Sequence, residues 1–131
     1  MSQRAELPGR VLVIDDEPAV RDLLERVLAN AGHHVVLERT AEAALIRLAR
    51  ERFDVIVVDN NLPKMTGLEL MSIVREHHPD LRAIMITAYD TQAVEVRARA
   101  LGVVAYVAKP FGIVTLVGAV DDAIRDGRGG R

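Results

Sequence analysis

Five short apolar runs alternate along this chain with stretches of helical period, and that alternation leaves few folds open to it. Residues 11–14, 55–58 and 83–86 are rich in β-branched side chains and bounded by polar or turn residues. Short runs that are apolar throughout, rather than at every second position, fit strands buried on both faces, as in a parallel sheet. Residues 34–38 and 103–107 are two further strand candidates. After the first run, Val20, Leu23, Leu24, Val27, Leu28 and Ala31 recur at helical spacing, with Pro18 suited to the first turn and Gly32 to the stop. Thr40 can cap a second helix that reaches about Arg50. A third is expected over 67–78, with Leu70, Ile73, Val74 and His77 on one face and Pro79 ending it. A weaker fourth helix, 91–101, is built mostly of small residues and stopped by Gly102. The fifth carries Ile113, Leu116, Val117, Val120 and Ile124, with Gly118 in its middle costing about 1 kcal/mol of helix propensity.

Strand and helix therefore alternate five times, which implies an α/β fold: a parallel sheet covered by helices on both sides, with right-handed crossovers. Five units do not close an eight-fold barrel, so an open doubly wound sheet is expected. The chain has 131 residues, 50% of them hydrophobic and 27% charged, enough to bury a core in one domain. That domain is expected over 10–126, with 1–9 a flexible arm and 127–131 a flexible tail or linker stub. There is no cysteine, which excludes disulfides, thiolate metal sites and thiol nucleophiles. The net charge of −2 comes with scattered basic residues, so no nucleic-acid surface is expected. No apolar run is long enough for a bilayer and none resembles a signal peptide, so a cytoplasmic protein is expected.

In open α/β sheets, ligands bind outside the carboxyl ends of the strands. Asp15, Asp16 and Glu17 follow the first apolar run, Asp59, Asn60 and Asn61 the third, Thr87 the fourth, and Lys109 with Pro110 the fifth. Singly, each has an ordinary explanation as a helix-end charge, a turn former or a solvated cation. Together they put several carboxylates, a hydroxyl and an ammonium on one rim. Lys109 is one of only two lysines in a chain that otherwise uses arginine. Carboxylates about 4 Å apart repel by roughly 4 kcal/mol at an effective dielectric near 20, so protonation or a cation must relieve them. Oxygen donors without His or Cys favour a hard cation, Mg²⁺ or Mn²⁺. A magnesium dicarboxylate site, a spare carboxylate, a hydroxyl and a lysine are the parts of a phosphoryl-transfer centre.

Four segments carry a family resemblance. They are Asp15-Asp16-Glu17-Pro18, the run from Asp59 through Asn60, Asn61, Leu62, Pro63, Lys64, Met65 and Thr66 to Gly67, then Ile86-Thr87-Ala88, and Lys109-Pro110-Phe111. In this order and spacing the chain resembles the receiver domains of bacterial response regulators, over about residues 10–126. The resemblance implies the flavodoxin-like sheet of order 2-1-3-4-5. It implies that Asp59 is the phosphoacceptor, receiving a phosphoryl group from a histidine kinase or a histidine phosphotransfer protein. Asp16 would ligate Mg²⁺ directly, Asp15 through water and Asn61 through its backbone carbonyl, with Asp59 completing the set. Lys109 would pair with Asp59 and then with a phosphoryl oxygen, and Thr87 would donate its hydroxyl to another. The Lys109–Pro110 peptide would be cis. Tyr106 would turn inward when Thr87 is drawn to the phosphate, remodelling the face of the fourth helix, fifth strand and fifth helix for a downstream effector. Asn61 and Tyr89 would flank the path of the attacking water and help set the phosphate lifetime. Leu62 and Thr66 depart from the commoner Met and Asp of the family without touching the chemistry.

Other classes fit less well. An aspartyl-phosphate hydrolase resembling the haloacid dehalogenases wants its nucleophile on the first strand with an Asp two residues on, where this chain has Glu17. A flavin carrier needs a phosphate-cradling loop where the acidic Asp15-Asp16-Glu17 stands. The remaining alternative is a receiver-fold protein-interaction module that works without phosphate. Arg97, Arg99, Asp121, Asp122 and Arg125 read as a solvated surface, with a monomer or a phosphorylation-linked dimer both left open.

Overall fold

The computed structural model describes residues 8–88 and 91–129. Its elements run β1 (Arg10–Ile14), α1 (Pro18–Asn30), β2 (His34–Glu38), α2 (Ala41–Arg50), β3 (Val55–Asp59), α3 (Gly67–His77), β4 (Arg82–Thr87), α4 (Gln92–Ala100), β5 (Val103–Ala108) and α5 (Ile113–Gly129). All five strands pair in parallel, in the order β2-β1-β3-β4-β5. The expected α/β architecture and strand order are both found.

The helix ends follow local chemistry. Pro18 opens α1, and Gly32 leaves it at φ 103, a left-handed conformation open to glycine at little cost. The Thr40 hydroxyl accepts from Ala43 N–H at the start of α2, and Thr91 does the same for Val94 at α4. Thr66 and Glu69 cap α3 reciprocally, each side chain accepting the other's backbone N–H.

The continuous apolar runs are explained by two cores. Leu12, Ile14, Ile56, Val58, Ala83 and Met85 face α2, α3 and α4. Their chain neighbours Val11, Val13, Val55, Val57, Ile84 and Ile86 face α1 and α5. Strand side chains alternate between faces, so a sheet covered on both sides needs an apolar residue at every position. Each fully buried Leu or Ile contributes roughly 2 kcal/mol of transfer free energy. Register aligns Leu12 with Ile56 and Ile56 with Ala83, so these layers stack across the sheet.

Three details differ from expectation. The buried face of α3 is Leu70, Met71 and Val74, whereas the His77 side chain is 62% exposed. The α5 helix continues to Gly129, past the expected boundary at 126, and Arg128 donates to the Pro8 carbonyl and the Asp54 carboxylate. Gly9, read as part of the arm, is buried, and a Cβ there would lie 2.6 Å from Ile124.

Along β5 the register against β4 slips by one residue. Ala83 pairs with Val103 but Ile84 with Ala105, leaving Val104 as the extra residue, 40% exposed. A slip of one residue reverses which face each following side chain takes. Tyr106 is thereby paired with Met85 and packs with it on the α2–α4 side. Among the described residues, no helix is long and apolar enough to cross a membrane.

Candidate functional site

Because β1, β3, β4 and β5 end on one rim, the residues at their carboxyl ends converge. Asp59 closes β3 and Thr87 closes β4, while Asp15 and Lys109 follow β1 and β5 directly. Asp15, Asp59 and Thr87 are almost wholly buried, at 1%, 2% and 0% exposure. Lys109 Nζ reaches in among the acids: it donates to Glu17 Oε1 at 2.9 Å and to Asp59 Oδ2 at 3.2 Å, and lies 3.7 Å from Asp15 Oδ2. One ammonium is thus shared by three carboxylates.

The two buried aspartates are held alike, each by the backbone two residues on. Asp15 Oδ1 accepts from Glu17 N–H and Asp59 Oδ1 from Asn61 N–H, both at 2.9 Å. These short turns leave the second oxygen of each carboxylate directed at Lys109. Asp15 Oδ2 is buried with no hydrogen bond. Burial pushes the Asp15 carboxyl up to about 6, with the Glu17 N–H and Lys109 opposing the shift and the charges of Asp59 and Glu17 adding to it. Burial disfavours the charge on Lys109, but its bond to Glu17 and the carboxylates of Asp59 and Asp15 outweigh that and raise its pKa.

The loop after β3 is fastened from both sides. Asn60 N–H donates to the Ile86 carbonyl, and the Asn60 side chain accepts from Leu68 N–H at the start of α3. Gly67 lies so close that a Cβ there would sit 2.7 Å from Asn60 Cα and 3.0 Å from the Asp59 carbonyl, which accounts for glycine at this position. Asn61 turns its side chain toward β4, where its Oδ1 accepts from Ala88 N–H at 2.9 Å and from the Thr87 hydroxyl at 3.3 Å. The Lys109–Pro110 bond is cis, and Lys109 N–H donates to the Thr87 carbonyl.

Asp15, Asp59, Thr87, Asn61 and Lys109 are therefore brought together as the sequence suggests. Asp16 is not: it is exposed, and the group of carboxylate oxygens lying within 4.8 Å of one another comprises Asp15, Glu17 and Asp59. Glu17 is the residue missing from the expected set. It occupies the N-cap of α1 with extended backbone and makes no capping bond, so its side chain is available to Lys109. The only signal for it in sequence is a third acid directly after two others. Tyr106 stands outside the cluster, its ring packed on the α2–α4 core and its hydroxyl oxygen buried. Tyr89 lies outside the described residues.

The donor set fits a hard cation. Three carboxylates supply oxygen without nitrogen or sulfur, and a buried, unbonded Asp15 oxygen faces the cluster, a costly arrangement unless a cation or proton meets it.

The pattern of the response regulator receiver domain matches residues 11–121 of the chain. The response regulator protein FleR of Pseudomonas aeruginosa is 37% identical over 105 residues, covering 80% of this chain and 22% of that protein. The response regulator MprA of Mycolicibacterium vanbaalenii is 34% identical over 119 residues, covering 91% and 52%. The chain thus spans about a fifth to about a half of the length of these curated relatives. Among solved structures, a CheY-like receiver domain protein from Methanospirillum hungatei superposes with a TM-score of 0.90 at 27% identity, over 95% of this chain and 99% of that one. The response regulator TrrA of Thermotoga maritima, solved in complex with Mg²⁺ and BeF, superposes with a TM-score of 0.79 at 30% identity, over 87% and 97%.

Proposed function

The chain belongs to the response regulator receiver family, and on that premise we propose that it is a phosphoacceptor switch with Asp59 as the acceptor. An Asp59 carboxylate oxygen attacks the phosphorus of a phosphohistidine on a kinase or phosphotransfer partner. The new P–O bond forms as the P–N bond breaks, the imidazole leaves with the electron pair, and an acyl phosphate remains on Asp59. The observation that carries this reading is Asp59 itself, 2% exposed at a strand end with Oδ2 3.2 Å from Lys109.

Asp15, Asp59 and the Asn61 backbone carbonyl would hold Mg²⁺, with Asp16 turning in from its exposed position to join them and Mn²⁺ an acceptable substitute. Bound there, the cation offsets the negative charge that gathers on the phosphoryl oxygens. Lys109 does the complementary work from the opposite strand, keeping its proton under its acidic neighbours and pairing with whichever oxyanion replaces the Asp59 charge. Glu17 competes for the same ammonium, so Lys109 must partly leave Glu17 to follow the phosphoryl group. The Thr87 hydroxyl is positioned to bind a phosphoryl oxygen, and Asn61 with Tyr89 tunes access of water to the acyl phosphate.

The output is a population shift in the face formed by α4, β5 and α5. Apolar side chains lie open there: Val96 on α4, Val104 on β5, and Val114 on α5 at 86% exposure. A downstream effector docking on these groups would read the position of Tyr106.

The test is reaction with acetyl phosphate or phosphoramidate, with and without Mg²⁺, followed by intact mass. One phosphoryl increment that needs Mg²⁺ and is lost completely in Asp59→Asn is the expected result. No adduct in the parent protein, or one that persists in Asp59→Asn, would overturn the reading in favour of a phosphate-independent interaction module.

A further inference from the structure

Opposite the acidic rim, an open cavity of about 1250 Å³ runs beneath the amino ends of β3, β4 and β5. Five arginines line it, Arg52, Arg75, Arg82, Arg99 and Arg128, each from a different segment, against the three acids Glu51, Asp54 and Asp80. Two of these acids are already engaged. Glu51 accepts from Arg10 and Arg47, and Asp54 accepts from Arg10 N–H and from Arg128. Arg99 pairs with Glu95 on its own helix. The guanidinium groups of Arg52, Arg75 and Arg82 have neither an ion pair nor a hydrogen bond among the described residues. In a chain whose net charge is −2, the cavity thus concentrates positive charge that nothing neutralises.

Helix ends account for only part of this. Arg75 and Arg99 stand in the last turns of α3 and α4, where a cation is favoured. Arg82 opens a strand, and Arg52 lies in the loop beyond α2. Two of the unpaired side chains are seated over glycines. A Cβ on Gly102 would lie 2.8 Å from Arg75 Nη1, and one on Gly127 would lie 3.6 Å from Arg82 Nε. The lining also includes Phe53 and Leu81, both partly buried, so the cavity has an apolar wall beside its charges.

We propose that this cavity binds a condensed phosphate, the chain of a nucleoside polyphosphate or of short inorganic polyphosphate. A guanidinium presents a planar fork of donors that matches phosphate oxygens two at a time. A condensed phosphate carries several charges within a short span, as three unpaired guanidinium groups in one cavity require. A nucleic acid would extend past the cavity over the rest of a chain whose net charge repels it. The site goes beyond the phosphoacceptor reading and does not rest on it, since it stands at the opposite ends of the strands and uses no residue of the acidic rim.

The experiment is titration of the intact chain with sodium tripolyphosphate in metal-free buffer of fixed ionic strength, followed through the arginine Nε–Hε signals in ¹⁵N-correlated NMR. Saturable shifts are expected for Arg52, Arg75 and Arg82. Arg75→Gln and Arg82→Gln should each weaken binding roughly tenfold, the effect of one charged hydrogen bond. Arg26→Gln, on α1 and outside the cavity, should leave the affinity unchanged. Shifts that do not saturate overturn the proposal, and so does a loss in Arg26→Gln equal to the others, because the attraction is then to net charge alone. A hexaglutamate peptide that binds as tightly as tripolyphosphate also overturns it, in favour of an acidic protein segment. ATP separates the two sources. Tighter binding than tripolyphosphate assigns the ligand as a nucleotide whose base lies on the Phe53 and Leu81 wall, whereas equal or weaker binding assigns the inorganic chain. Phosphoryl uptake from acetyl phosphate by Arg82→Gln should match that of the parent protein, so failure of this site and failure of the phosphoacceptor switch are told apart.

Discussion

The two ends of the sheet bury polar groups in opposite ways. At the amino end, His33 is 5% exposed and both ring nitrogens are engaged: Nδ1 accepts from Gly9 N–H at 3.1 Å, and Nε2 lies 2.7 Å from Asp121 Oδ1. The first bond requires a bare Nδ1, so the proton sits on Nε2 and is donated to Asp121. At the carboxyl end, Asp15 is 1% exposed and one of its oxygens has no hydrogen bond. The hydrogen bonds around His33 close the structure, joining the start of β1, the turn before β2 and the side of α5. Those around Asp15 leave it open to a cation or a transferred group. The same division holds for exposed charges. Arginines gather in the last turns of α2, α3, α4 and α5 at the amino end, where they offset the partial negative charge of helix carboxyl ends. A buried polar group with every bond made is structural, whereas one left short of partners at a strand end marks the site where stability is given up for chemistry.

Substitutions at each end can break this contrast. The largest effect is expected for His33→Leu, which leaves the buried Gly9 N–H without an acceptor and should cost about 2–3 kcal/mol in denaturant unfolding, with phosphoryl uptake by the folded protein retained. A loss below the error of the measurement would show that His33 is not structural. Asp15→Asn should act in the opposite direction. An acid whose pKa rises from 3.8 unfolded to about 6 folded keeps its proton more tightly in the folded state. Its contribution to stability is present below about pH 4 and lost as pH climbs through 6, so the charged form is a burden at pH 7. In metal-free buffer, Asp15→Asn should therefore gain about 2 kcal/mol at pH 7 and flatten the decline between pH 4 and 6. If the variant is less stable and keeps that decline, the acidic end is not strained. The smallest effect belongs to Arg99→Ala, which removes an exposed bond to Glu95. Its melting temperature should be unchanged within error, because long, solvated side chains lose in ordering what they gain in attraction.

Much of this was legible in the residues. The period of the apolar runs identifies strands and helices, and double-sided burial accounts for runs that do not alternate. The strand-end rule locates Asp15, Asp59, Thr87 and Lys109 without reference to distance. Glu17 was hidden because an acid at a helix start has an ordinary role, and only its conformation shows that it caps nothing. The buried face of α3 was misread by one position because His77 and Met71 both satisfy a helical period, and neighbouring helices decide which of them is covered.

Local pattern by itself determined the element types, their order and the rim on which the chemistry lies, since these depend on side-chain polarity and on the fixed periods of helix and strand. Only the tertiary structure decided which partner each polar group takes. Lys109 and Glu17 are 92 residues apart in sequence and share a hydrogen bond. His33 and Asp121 are 88 apart. The side of the sheet on which Tyr106 packs depends on a slip of one residue at Val104, which follows from how β5 lies against β4. Such choices are made by packing between distant segments, and the periods along the chain carry no record of them.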